Sequence, residues 1–205
     1  MTDVPPVLVG VSVRVPEPWA GQLQEARAGY GDPVARHVPP HVTILPPTPV
    51  APAQQAAVLE HLDRVVAAHR AFVLHLRGTG TFRPVSPVAY VDVAEGGDAC
   101  ARLEAAVRRG PLWAEQRFAY RPHVTVAHHV DDAALDAAER DWADLDAQFL
   151  VTTVECAALD PDGRWRTLRV HPLAGPDRPV PLPDPPTGEH PVVRAALRRL
   201  RHRPS

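Results

Sequence analysis

Apolar residues along this chain alternate between a period of two and a period of about 3.6, and the switches outline its elements. Val7–Val13 (VLVGVSV) is a β-branched run that predicts a buried strand, ended by Pro16. From Trp19 the apolar positions Leu23, Ala26 and Tyr30 take helical spacing, broken by Gly31-Asp32-Pro33. His41–Leu45 (HVTIL) predicts a short strand. Pro39 and Pro40 before it and Pro46 and Pro47 after it should frame it, because proline cannot donate to a ladder. Ala53–His69 carries one apolar stripe, Val58, Leu59, Leu62, Val65 and Val66, and predicts a helix. Phe72–Leu76 reads as a strand, Gly78 and Gly80 as a turn, and Val88–Val93 as another strand.

The same order then recurs. Asp98 is placed to cap a helix with Leu103, Ala106 and Val107 on its face, stopped by Gly110-Pro111. His123–Ala127 (HVTVA) predicts a strand, and Asp131 a cap for a helix running to Trp142. Phe149–Ala157 and Trp165–Val170 read as a closing antiparallel pair around Asp160-Pro161-Asp162-Gly163. The expectation is an α+β fold with mainly antiparallel strands in two related halves over residues 1–171. Residues 172–191 (including PLAGPDRPVPLPDPP) are expected to form a Pro-rich linker. Residues 192–205 are expected to form an Arg-rich tail with a short helix over Val192–Leu200. Such a tail is a solvated extension or, alternatively, a docking or RNA-contacting arm.

Composition narrows the chemistry. In 205 residues the chain carries 45% hydrophobic residues, enough for a core, and a formal net charge of -2, so no global positive field points to nucleic acid. Every one of the 22 basic residues is arginine, which excludes lysine nucleophiles and Schiff bases. Cys100 and Cys156 stand far apart in apolar surroundings and read as buried free thiols. Neither a signal-peptide pattern nor a long apolar run is present. A soluble, cytoplasmic monomer is expected, with no membrane partner.

The tetrapeptide Pro-His-Val-Thr occurs at 40–43 and again at 122–125. Side chains two apart on a strand share a face, so His41 lies with Thr43 and His123 with Thr125, while Val42, Ile44, Val124 and Val126 point into packing. Each strand thus offers an imidazole and a hydroxyl together. Histidine, with an ordinary pKa of about 6.5, can take or give a proton near neutral pH. Two of them suit displacement at phosphorus, where one oxygen must lose a proton and another must gain one. The threonine hydroxyls can donate to nonbridging oxygens as these gain charge.

Two His-x-Thr-x strands about 80 residues apart resemble the two-histidine phosphoesterases. Within that group the likeness is to the bacterial 2′-5′ RNA ligase-like RNA 2′,3′-cyclic phosphodiesterases, over roughly residues 7–171. It includes HVTI at 41–44, GTGTF at 78–82 and YRPHVTVA at 120–127. The resemblance implies a bilobal, pseudo-two-fold, LigT-like fold with two mainly antiparallel sheets, flanking helices and a central cleft. It implies His41 as general acid and His123 as general base, Thr43 and Thr125 on the phosphate, and no metal or other cofactor. The implied substrate is an RNA terminus or a cyclic nucleotide, opened by hydrolysis or joined in a 2′-5′ ligase-type reaction. A metallohydrolase and a non-catalytic nucleotide- or RNA-binding module on the same fold are the alternatives.

The pattern departs from the family in two places. His128 and His129 stand where an arginine often follows the second motif, and Pro84-Val85-Ser86-Pro87 fills a stretch that often carries a basic residue. Adjacent strand residues point to opposite faces, so His128 and His129 are not expected to share an ion. Tyr120 and Phe82 could stack on a base or pack in the core; Trp165 reads as core or rim; Arg121 is a candidate phosphate contact.

Overall fold

The computed structural model describes residues 5–116, 118–175, 182–183, 188 and 190–194. Eight strands, β1 (Val7–Arg14), β2 (His41–Val50), β3 (Phe72–Thr81), β4 (Val88–Glu95), β5 (His123–His128), β6 (Asp146–Val151), β7 (Thr153–Leu159) and β8 (Trp165–Pro172), pair antiparallel in the order β6-β3-β4-β5-β2-β1-β7-β8. Among the described residues, helices α1 (Trp19–Gly29), α2 (Gln55–Ala67), α3 (Gly97–Val107) and α4 (Asp132–Asp141) flank it. The expected α+β class and two-fold arrangement hold. β2-β1-β7-β8 and β5-β4-β3-β6 are equivalent sets, and they meet at the centre through the single residue pair Val42–Val124. The two expected sheets are therefore halves of one eight-stranded sheet. A single residue, Thr152, carries the chain from the edge strand β6 into β7 in the other half. That connection requires the sheet to curl until its ends approach, and it is why Phe149–Ala157 is not one strand.

Burial follows the sequence pattern. Val9, Val11 and Val13 alternate into the core on β1, and Val58, Leu62 and Val66 do so at four-residue spacing on α2. Val42, Ile44, Val124 and Val126 are fully buried in the same cluster as Leu23, Leu62, Leu103 and Leu135 of the helices. The opposite face of β2 and β5 is left for His41, Thr43, His123 and Thr125. Asp131 caps α4 as expected, its Oδ1 accepting from the Ala134 N–H at 2.8 Å. Asp98 does not cap α3; Gly96 stands at that position and Asp98 lies in the first turn.

Two strands outrun the punctuation that should have stopped them. β2 continues through Pro46, Pro47 and Pro49. Past Leu45 its pairing is with β1 alone, so prolines there forfeit no second ladder. β3 continues through Gly78 and Gly80, with a register shift between Leu76 and Thr79. Gly80 serves packing, since a Cβ there would stand 2.6 Å from the Tyr90 hydroxyl. Beyond β8, Leu173 and Val193 are buried in the core, and His190 stacks on Trp142 with ring centroids 4.4 Å apart. Residues 191–194 are helical; the remainder of the expected tail helix lies outside the described residues.

Candidate active site

His41 and His123 are the first residues of the two central strands, which pair at Val42–Val124. Carrying that antiparallel register one step each way places His41 opposite Thr125 and Thr43 opposite His123, four side chains on one face. All four are half-buried. The structure thus brings together the four residues expected from the repeated motif.

The two rings are held alike. His41 Nδ1 lies 2.8 Å from the Pro39 carbonyl and His123 Nδ1 lies 2.7 Å from the Arg121 carbonyl. A carbonyl only accepts, so Nδ1 carries the proton in both rings and Nε2 is left for a ligand. Burial pushes the pKa of both below the ordinary 6.5. Around His41, Arg27, Arg14 and His123 add to the fall against the Pro39 bond. Around His123, the Arg121 carbonyl and the Asp92 carboxylate pull upward while the Arg121 guanidinium pulls down.

The neighbours differ in charge between the halves. Arg14 is the β1 partner of His41, and Asp92 is the β4 partner of His123. Arg14 Nη2 donates to Glu155 at 2.9 Å, its Nε donates to the other carboxylate oxygen, and Thr167 donates to the same group. These bonds hold the Glu155 carboxyl below its usual range against the opposing effect of burial. Asp92 accepts from Arg121 at 2.9 Å, and the Arg121 guanidinium stands 5.0 Å over the Tyr90 ring. Arg121 is thus engaged beside His123. Motif spacing gave no sign of Arg14; only the cross-strand register brings it to His41.

The other candidates are also placed. Phe82 meets the His123 ring edge-on at 4.8 Å and packs on Tyr90 at 4.5 Å, so it buttresses the imidazole. The Tyr120 hydroxyl donates to the Thr43 carbonyl at 2.9 Å and ties the second half to β2. Arg83, beside the proline-rich turn, is taken up by Asp132 at 3.2 Å and Asp136 at 2.6 Å. His128 and His129 correct the expectation of opposite faces. His129 leaves the strand with φ 56, and the two rings stack at 3.6 Å. Cys100 and Cys156 are buried, free, and pushed up to about 12, which leaves them un-ionised at neutral pH.

A buried ion pair stands behind His41. Arg27 donates to Asp32 at 2.9 Å and to the Val38 carbonyl at 2.8 Å. It thereby anchors α1 to the loop whose next carbonyl, that of Pro39, orients the ring. A pocket of about 200 Å³ opens beside His41 and Thr43; neither His123 nor Thr125 lines it.

The curled antiparallel sheet with flanking helices has counterparts among known proteins. The description of the 2′-5′ RNA ligase superfamily matches residues 15–163, well over half the chain, and the chain belongs to that superfamily. A Bacillus cytotoxicus protein whose name assigns it provisionally to the phosphoesterases is 31% identical over 102 residues, 50% of this chain and 59% of its own. A Bacillus cereus relative with a similar name is 29% identical over the same shares. The chain thus spans 59% of the length of these curated relatives. Among solved structures, Escherichia coli LigT complexed with 3′-AMP superposes with a TM-score of 0.58 at 17% identity, over 82% of this chain and 98% of that one. The Thermus thermophilus protein TT0787 gives 0.53 at 22%, over 82% and 98%. These likenesses establish the LigT-like fold. No helix among the described residues is long and apolar enough to cross a membrane.

Proposed function

We propose that the chain is a phosphodiesterase that opens 2′,3′-cyclic phosphates on RNA ends or nucleotides, with His41 and His123 as its acid–base pair. The observation that carries this reading is the Val42–Val124 junction, which sets two identically tethered imidazoles and two hydroxyls on one face. Water attacks phosphorus and gives its proton to one Nε2; the other ring protonates the ribose oxygen as its bond to phosphorus breaks. The family resemblance assigns the donor role to His41 and the acceptor role to His123. A 2′-5′ ligation would run in the same direction with a 5′-hydroxyl in place of water; in the reverse direction, cleavage of a 2′-5′ linkage to the cyclic phosphate, the roles exchange. Thr43 and Thr125 donate to the nonbridging oxygens, where charge grows in the transition state. None of these steps calls on a cofactor. Escherichia coli LigT forms complexes with phosphate and with 3′-AMP, which supports a nucleotide ligand here. A monomer acting in the cytoplasm completes the reading.

The test is a panel of nucleoside 2′,3′-cyclic phosphates and 2′-5′-linked dinucleotides, assayed with EDTA present. Wild-type protein is expected to turn over at least one of them. His41→Ala and His123→Ala should each lose about 10²- to 10⁴-fold in kcat with folding intact. Wild-type turnover by either variant, or activity that EDTA abolishes and Zn²⁺ restores, would refute the reading.

A further inference from the structure

We infer that the pocket beside His41 is a nucleobase seat, walled by Trp165 and kept open by Gly10, which holds the substrate's base over β1 and β7. This rests on the proposed reading that a ribose phosphate sits between His41 and His123. The pocket shares His41 and Thr43 with the reactive face and excludes His123 and Thr125, so it leaves the phosphate position on one side only.

The two halves show why the space exists on that side. Ser12 pairs with Thr43 on β1, as Tyr90 pairs with Thr125 on β4. In the second half Tyr90 and Phe82 crowd the His123 ring, with centroids 5.3 Å and 4.8 Å from it. In the first half the equivalent position carries a serine, and the volume stays empty.

The lining suits a flat ring. Leu45, Pro47 and Ala157 supply apolar walls, and the half-exposed indole of Trp165 reaches across from β8. A Cβ at Gly10 would lie 3.2 Å from two atoms of that indole, so a larger residue there would displace it. Stacking on an aromatic face is tolerant of base identity. The volume, about 200 Å³, is below the roughly 300–1,000 Å³ of sites for drug-sized ligands, so it fits a single nucleoside. Ser12 and the Glu155 carboxylate lie among its lining residues and offer partners for a ribose hydroxyl or a base amino group.

The proposal is tested by calorimetric binding of adenosine 3′-phosphate, uridine 3′-phosphate and base-free glycerol 2-phosphate, which needs no turnover. Wild-type protein should bind the two nucleotides about equally and about 10- to 100-fold tighter than the base-free compound. Trp165→Ala, and Ala157→Leu, which fills the space, should collapse that ratio toward one, while Trp165→Phe should largely keep it. Circular dichroism checks that each variant is folded. Equal wild-type affinity for base-bearing and base-free phosphates overturns the seat, as does an intact ratio in folded Trp165→Ala. Base-selective binding without turnover of any cyclic phosphate would sustain the seat and sink the catalytic reading.

Discussion

At the scale of single residues, the two imidazoles have the same tether and both are poorly solvated. The sign of the pH dependence follows. A base must be neutral to accept a proton, so its limb of the rate profile falls as pH drops through its pKa. A donor must be charged, so its limb falls as pH rises through its own. Both pKa values lie below 6.5, chiefly through burial, so both limbs shift downward. The profile of kcat/KM, which reports the free enzyme, is expected to peak on the acid side of pH 6.5. A peak at pH 7 or above in a kcat/KM titration would contradict the assignment. His41, Thr43, His123 and Thr125 were legible because alternation on a strand is local and the motif repeats. Arg14 and Asp92 were not, because their place beside the histidines depends on pairing between segments distant in sequence. The stacking of His128 on His129 was also hidden, since one left-handed residue undoes the alternation.

At the scale of elements, apolar periodicity located the helices and, apart from the break between β6 and β7, the strands. The remaining errors fell on how elements end. Proline and glycine were read as stops at Pro46 and Gly78, yet both strands continue. A proline is costly only where its missing N–H had a partner waiting, and that depends on the neighbouring strand. The loop between α1 and β2 depends on the Arg27–Asp32 pair, whose side chains are 4% and 0% exposed. Asp32→Ala leaves a buried guanidinium unpaired and should cost about 3–5 kcal/mol in urea denaturation. Replacing both residues with apolar ones should recover much of that loss. Wild-type stability in the single variant would show that the pair does not hold the loop.

At the scale of the whole molecule, Leu173 and Val193, beyond β8, take part in the packing, while most of the expected linker and tail lies outside the described residues. Leu173 and Val193 are 8% and 1% exposed. The sequence expectation put a linker after residue 171, because prolines and arginines dominate the composition there. A few apolar residues that dock on a distant surface leave no periodic trace. Ending the chain at Pro172 should remove these side chains from the core and lower Tm by roughly 5 °C or more, read in a thermal melt. An unchanged Tm would make the segment dispensable. The junction of the two halves carries a mechanical consequence. One ladder rung joins the jaws of this vice at the centre of the sheet, and each jaw carries one imidazole. On the proposed reading, the gap between the rings follows the angle between the jaws, so a phosphate held by both imidazoles would act as the gauge block for their spacing.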